Sequence, residues 1–283
     1  MAKVVKSVES MMKLSDGFRK KGLSIGFVPT MGYLHKGHIS LVKEAKKRND
    51  IVVVSIFVNP TQFGPREDIK KYPRDMKRDL KLLSRYKVNA VFAPSAKDIY
   101  PDGYRTGVEV KGLSDKLCGA SRPGHFKGVT TVVAKLFNIV KPDAAYFGEK
   151  DFQQQVVIRK MTRDLNMGVK IKSMPTVREK DGLAMSSRNT YLSKEERVSA
   201  LVINRSLKFA KMLVNSGIRS SAKIKAAMTR LMRTASGLKI DHISICDPET
   251  LDERSIIKGK TLIATAVYIG KTRLIDNIVI NCA

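Results

Sequence analysis

Cysteine is scarce in this sequence. The 283 residues hold three, Cys118, Cys246 and Cys282, widely spaced and odd in number, which argues against a disulfide framework and for a reducing compartment. Histidine is rare as well, at four. Without a His-Glu-x-x-His pair or a close cysteine pair, the chain lacks the ligand spacing of a zinc centre. No apolar run is long enough to cross a bilayer, and the most apolar one, residues 51–58, is far too short. The N-terminal residues include lysines but no apolar stretch of signal-peptide length, so a soluble cytoplasmic protein with no membrane partner is expected. Acids are in deficit: 26 Asp and Glu against 53 Lys and Arg leave a formal net charge of +27. Such an excess suits polyanions or small anionic substrates. The cations are scattered through both halves, however, and the densest group, at 43–48, reads as the solvated last turn of a helix. With no zinc finger, arginine-glycine tract or tryptophan, no specific nucleic-acid partner is expected.

The most informative stretch is residues 26–38, Gly-Phe-Val-Pro-Thr-Met-Gly-Tyr-Leu-His-Lys-Gly-His. Residues 23–28 are apolar and partly β-branched, as in a buried strand, and Ile39, Leu41, Val42 and Ala45 then fall at helical spacing. Pro29 and Gly32 break both periods. The turn delivers His35, Gly37 and His38 to a helix start, where unpaired N–H groups and the positive end of the dipole favour an anion. Gly37 would let a phosphate approach the backbone, and imidazoles three residues apart share one helical face, so both can donate to one phosphate. The plainer reading is a strand, a turn and a helix with two surface histidines.

Residues 51–57 are a near-continuous β-branched run, as expected for a strand covered on both faces in a parallel sheet. The run leads into Asn59, Pro60, Thr61 and Gln62, either an ordinary turn or two amides delivered beside the histidine turn. A helix is predicted over 75–86 and a strand over 90–93. Residues 100–128, rich in Gly and Pro and holding Cys118, Arg122 and His125, read as a mobile connection or as a lid over an anion. A helix at 130–138, a strand at 144–147 and a helix at 152–165 follow. Between the last two, Gly148, Glu149, Lys150 and Asp151 repeat the strand–turn–helix pattern of the first site. Lys150 can neutralise phosphate there, and Asp151 can equally be no more than a helix cap. After a strand at 169–174, the loop 175–189 presents Met185, Ser186, Ser187, Arg188 and Asn189, readable as a phosphate clamp or as a solvated loop. The alternation predicts an α/β fold with right-handed crossovers. Beyond Leu192 the character changes. Ser193 opens a helix to about 215, a second spans about 222–235, and residues 240–246, 261–268 and 273–280 suggest a small antiparallel sheet. The expected architecture is a Rossmann-like parallel sheet in an N-terminal domain, residues 1–177, with a smaller α+β C-terminal domain, residues 178–283.

Taken in order, the motifs at 27–38, 58–63, 122–126, 147–154 and 185–189 resemble those of the pantothenate synthetase (pantoate–β-alanine ligase) family. His-x-Gly-His alone is shared with other nucleotidyltransferases, whereas the full set is far more specific. The resemblance implies ATP-dependent condensation of pantoate with β-alanine through a pantoyl-adenylate, releasing AMP and pyrophosphate. It also implies magnesium, a homodimer and an ATP site between the two domains. ATP contacts are implied for Met31, Gly32, Tyr33, Leu34, His35, Lys36, Gly37 and His38, for Gly148, Glu149, Lys150 and Asp151, and for Val177, Met185, Ser186, Ser187 and Arg188. His35, His38 and Lys150 would serve the chemistry, with His38 as proton donor. Gln62 and Gln154 would bind pantoate, Gln62 lying also near β-alanine. Acids after Tyr72-Pro73-Arg74 help to place metal in some members; Arg78 occupies the first such position and Asp79 the next, which makes Asp79 the candidate metal ligand. Three other classes make different products or none. A nucleotidylyltransferase keeps AMP in its product, a ligase working through an acyl phosphate releases ADP, and a nucleic-acid-binding protein shows steep salt dependence without turnover.

Overall fold

Every residue of the strand Ile51–Ile56 is buried, and successive side chains of a strand point to opposite faces, so this strand must be covered on both sides. The computed structural model, which describes residues 2–65 and 67–282, shows how. Its elements in chain order are β1 (Lys3–Val5), α1 (Val8–Lys20), β2 (Ile25–Thr30), α2 (Lys36–Arg48), β3 (Ile51–Ile56), α3 (Met76–Ser84), β4 (Ala90–Phe92), α4 (Ala96–Ile99), α5 (Cys118–Ser121), α6 (His125–Val140), β5 (Ala144–Gly148), α7 (Phe152–Asp164), β6 (Lys170–Met174), α8 (Lys194–Asn215), α9 (Ser221–Met232), β7 (Leu238–Cys246), β8 (Gly259–Ile269) and β9 (Thr272–Cys282). Ile25, Phe27, Val53, Phe92, Ala145 and Phe147 pack with α1, α6 and α7 on one face. Their strand neighbours Val28, Val52, Val54, Val91, Ala144 and Tyr146 pack with α2 and α3 on the other. The result is a helix, sheet, helix sandwich.

The six strands are parallel, in the order β1-β4-β3-β2-β5-β6. The chain leaves β2 toward β3 on one side and later returns to β5 on the other. Strand order therefore reverses between β2 and β5, and their C-terminal ends, with that of β3, flank the crevice in which open α/β sheets bind ligands. A second core gathers α8, α9 and the antiparallel sheet β7-β8-β9. Ser193 and Glu196 start α8 with a reciprocal capping box, as the sequence suggests. Two contacts tie this sheet to the crevice. Arg178 makes a two-pronged bond to buried Asp276 at 2.6 and 3.0 Å, and Asn277 donates to the carbonyls of Glu149 and Lys150, each at 2.9 Å.

The structure departs from the sequence reading at three places. β1 and α1 are present where the sequence pattern predicts no element. α6 begins at His125 rather than at 130, because Gly124 takes a left-handed turn into it. The mobile connection expected over 100–128 is instead partly helical and packed: Val110 and Phe126 are in the core, and Gln153 binds the Leu113 and Lys116 carbonyls at 2.9 and 2.6 Å and the Cys118 N–H at 3.0 Å. Among the described residues, no helix is long and apolar enough to cross a membrane.

Candidate active site

The histidine turn is built as a capping box in which both members are imidazoles. The Gly37 N–H donates to His35 Nδ1 at 3.1 Å, and the His35 N–H donates to His38 Nδ1 at 3.3 Å. With both Nδ1 atoms accepting, the proton of each neutral ring sits on Nε2. The rings lie 4.0 Å apart between centroids. Burial and the nearby Lys150 charge lower the pKa of His35 to about 4; burial, His35 and Lys150 hold His38 well below its usual 6.5. Both are neutral at pH 7, donors without charge. Gly37 does not have the role expected of it. A Cβ there would lie 2.8 and 2.9 Å from His35 ring atoms, so the space read as a phosphate approach is filled by the imidazole. Gly37→Ala should gain about 1 kcal/mol of helix propensity yet unseat His35. The expected result is a rate lower by about 10- to 100-fold with little change in melting temperature, checked by steady-state kinetics beside thermal unfolding.

Asp79 corrects a second expectation. It is 1% exposed, and its two oxygens accept from the Tyr33 and Leu34 N–H groups at 2.7 and 2.8 Å. Gly32 and Tyr33 both have positive φ, 85° and 49°, which turns those amides inward. Asp79 thus braces the turn from beneath, buried and off the lining of the cleft where an ion accompanying the phosphates would sit. For the same reason Gly32, Tyr33 and Leu34, expected on the nucleotide, do not line the crevice; Leu34 is core. Lys36 is exposed and Glu149 also lies off the lining.

Met31, His35, Gly37 and His38 do line it, together with Gly148, Lys150, Asp151, Val177, Met185, Ser186, Ser187, Arg188, Gln62 and Gln154. The structure brings these separated segments into one cleft. The turn bearing Lys150 is held from behind by Asn277. Asp151 stands at the N-cap of α7 without making a side-chain cap bond, and its carboxylate is 3.5 Å from Lys150 Nζ. Ser187 Oγ donates to the Tyr33 carbonyl at 3.3 Å, tying the 186–188 turn to the histidine turn. Arg188 is fixed by Asp68, Nε and Nη2 reaching the two carboxylate oxygens at 3.0 and 2.9 Å. Burial alone would raise the Asp68 pKa, but this guanidinium brings it below the ordinary carboxylate range.

Gln62 accepts from Asn59 Nδ2 at 3.1 Å and points its own amide toward Met31 Sδ at 3.3 Å. Val129, Val132 and Val133 of α6 supply an apolar wall. Arg122, His125, Asn59 and Tyr72 also line the cleft; the sequence offers Asn59 beside the histidine turn and Arg122 and His125 in a possible lid, but gives none of the four a ligand. The clue available was Arg122 and His125 spaced by Pro and Gly, which reads as a loop until α6 is seen.

A parallel α/β sheet that gathers neutral imidazoles, a lysine and a helix-entry turn at its point of strand reversal defines a nucleotide-using α/β enzyme. The sequence matches the Pantoate-beta-alanine ligase family over residues 3–279. A pantothenate synthetase of Fervidobacterium nodosum is 56% identical over 280 residues, covering 99% of this chain and 100% of that one. A solved pantothenate synthetase from Thermus thermophilus is 44% identical with a TM-score of 0.92, covering 98% of each chain. The pantoate-beta-alanine ligase of Francisella tularensis, solved with beta-gamma ATP and beta-alanine, is 37% identical with a TM-score of 0.81, covering 99% of this chain and 98% of that one. The chain belongs to the pantoate–β-alanine ligase family.

Proposed function

We propose that this cleft joins pantoate to β-alanine at the expense of ATP, through a pantoyl-adenylate, releasing AMP and pyrophosphate. The observation that carries this reading is the convergence of His35, His38, Lys150, the 186–188 turn, Gln62 and Gln154 on one cleft that also has an apolar wall.

A carboxylate and an amine at neutral pH form an unreactive salt, so the acid first needs a leaving group. Its oxygen attacks the α-phosphorus of ATP and pyrophosphate departs. Charge develops on the phosphate oxygens, and Nε2–H of His38 and His35, the Lys150 ammonium and the Ser186 and Ser187 hydroxyls are donors suited to it. Arg188 joins them by exchanging Asp68 for phosphate. The neutral amides of Gln62 and Gln154 can donate to the pantoate carboxylate and accept from its hydroxyls. The β-alanine amine, near Gln62, then attacks the mixed anhydride and AMP leaves.

Magnesium enters as a companion of the ATP phosphates. Among the described residues no three His, Cys, Asp or Glu side chains are gathered as metal ligands, and Asp151 is the only carboxylate on the lining, so the protein's residues do not fit a resident ion. The reading extends to a cytoplasmic homodimer and to a division of labour between residues 1–177, which carry most of the site, and residues 178–283, which buttress Lys150 and supply Val177's neighbours Met185 to Arg188. The resemblance to the family supports these points. The test is to mix protein, ATP, magnesium and pantoate, then add β-alanine, and follow products by mass spectrometry. AMP, pyrophosphate and the amide are expected; ADP, or AMP retained in the product, would contradict the reading.

A further inference from the structure

Three separate observations meet at the backbone around Gln62. First, His125 Nδ1 lies 2.7 Å from the Gln62 carbonyl oxygen and Arg122 Nη2 lies 3.3 Å from it. Second, Arg122 Nη1 is 2.9 Å from His125 Nε2, while Arg122 Nε and Nη2 each reach a Glu67 oxygen at 2.6 Å. Third, a Cβ on Gly128, one turn along α6, would lie 2.3 Å from the Thr61 carbonyl oxygen, and the Gly128 carbonyl accepts from Asn59 Nδ2 at 3.1 Å. The first turn of α6 is therefore strapped directly to residues 59–62.

One arrangement of protons satisfies all these contacts. A guanidinium only donates, so His125 accepts at Nε2 and carries its proton on Nδ1, which it gives to the Gln62 carbonyl. This is the opposite tautomer to that of His35 and His38. Burial and the Arg122 charge lower the pKa of His125 to about 4, so the neutral ring persists through the physiological range. Among the described residues, Arg122, the Gln62 carbonyl, Glu67 and Arg188 are the polar groups that act on it. Asn59, held by Gly128, then steadies the Gln62 side chain through its Oε1. These contacts fall on the Gln62 backbone and on one side-chain atom, and they fix its direction before any ligand arrives.

We propose that His125, oriented by Arg122 and Glu67, is a positioning residue for the acid substrate: it holds the Gln62 main chain so that the side-chain amide meets pantoate in one orientation. This rests on the assignment of Gln62 to pantoate under Proposed function.

The test measures KM for pantoate and for ATP in pantoate-dependent ATP–pyrophosphate exchange, in His125→Ala, His125→Asn, His125→Gln, Gln62→Ala and the Gln62→Ala, His125→Ala double variant, with thermal unfolding alongside. His125→Ala should raise the pantoate KM about tenfold or more and leave the ATP KM within about twofold. An Asn amide places its donor where Nδ1–H sits and a Gln amide does not, so Asn should recover most of the loss and Gln little. His125→Asn also serves as the comparison if the alanine variant melts early. In the Gln62→Ala background, His125→Ala should add less than about twofold, because residues acting as a unit are not additive. Additive losses, an ATP KM that rises with the pantoate KM, or equal behaviour of Asn and Gln would overturn the positioning role. Absence of pantoate-dependent exchange in the wild-type protein would contradict the assigned reaction itself, a distinct outcome.

Discussion

His38→Ala is expected to cut pantoate-dependent ATP–pyrophosphate exchange by at least ~100-fold, the low end for loss of one donor that acts on transition-state charge, while the melting temperature moves little. His38 is placed for that task by its neighbour, since the His35 N–H occupies Nδ1 and leaves Nε2–H as the donor. It is neutral because burial and the adjacent positive field oppose its protonation. The pH dependence follows with a definite sign. A ring that is already neutral loses nothing as pH rises through 6.5, so the exchange rate should not fall there. The activity that depends on His35 should decline in acid, as pH drops towards about 4. Near-wild-type exchange in the alanine variant, or a fall in rate centred near pH 6.5 on going alkaline, would remove His38 from its role.

Lys150→Met should have an effect of similar size, about 100-fold or more on the same exchange, by removing the cation while keeping the length of the side chain. Among the described residues on the lining, Lys150 is the charged donor with the loosest acid partner: its neighbour Asp151 is half exposed at 3.5 Å, whereas Arg188 and Arg122 are bound closely by the partly buried Asp68 and Glu67. Arginine at 150 should restore only part of the rate, because a planar fork cannot replace a compact ammonium at a turn whose backbone is clamped by Asn277. A second readout is independent of turnover. The Lys150 charge lowers the pKa of both His35 and His38, so the methionine variant should titrate His35 at a higher pH than wild type, still below 6.5 because burial remains the larger cause. An unchanged His35 titration by NMR would show that Lys150 does not face the rings.

How far the sequence could be read depended on whether a residue's role is local. The β-branched run at 51–57 can only be a strand covered on both faces, and the structure divides Val53 from Val52 and Val54 accordingly. The Ser193 cap and the strand–turn–helix pattern at 144–152 are likewise local, and both were legible. β1 was not, since three residues at a sheet edge carry no period. α1 was hidden by Ser15 and Gly17 within an otherwise apolar face of Met11, Leu14 and Phe18. Three misreadings share one cause, which is a partner distant in sequence or on the far side of a turn. Gly128 looked like loop because it is glycine, yet it is helical and small because the Thr61 carbonyl rests against it. Gly37 makes room for a side chain of its own turn rather than for a ligand. Asp79 looked available to metal because nothing in sequence shows that the left-handed backbone of Gly32 and Tyr33 would aim two amides at it. Residues of the separated motifs line one cleft, but the hydrogen bonds within it are not written in the motifs.

Isotope transfer in a single turnover asks most directly whether the acid is adenylated before the amine meets it. With pantoate carrying 18O in its carboxylate, attack on the α-phosphorus followed by expulsion of AMP leaves one labelled oxygen on the AMP phosphate. One 18O per AMP, appearing only when pantoate is present, is the expected mass spectrum. AMP without label, or label found in inorganic phosphate beside ADP, would contradict it.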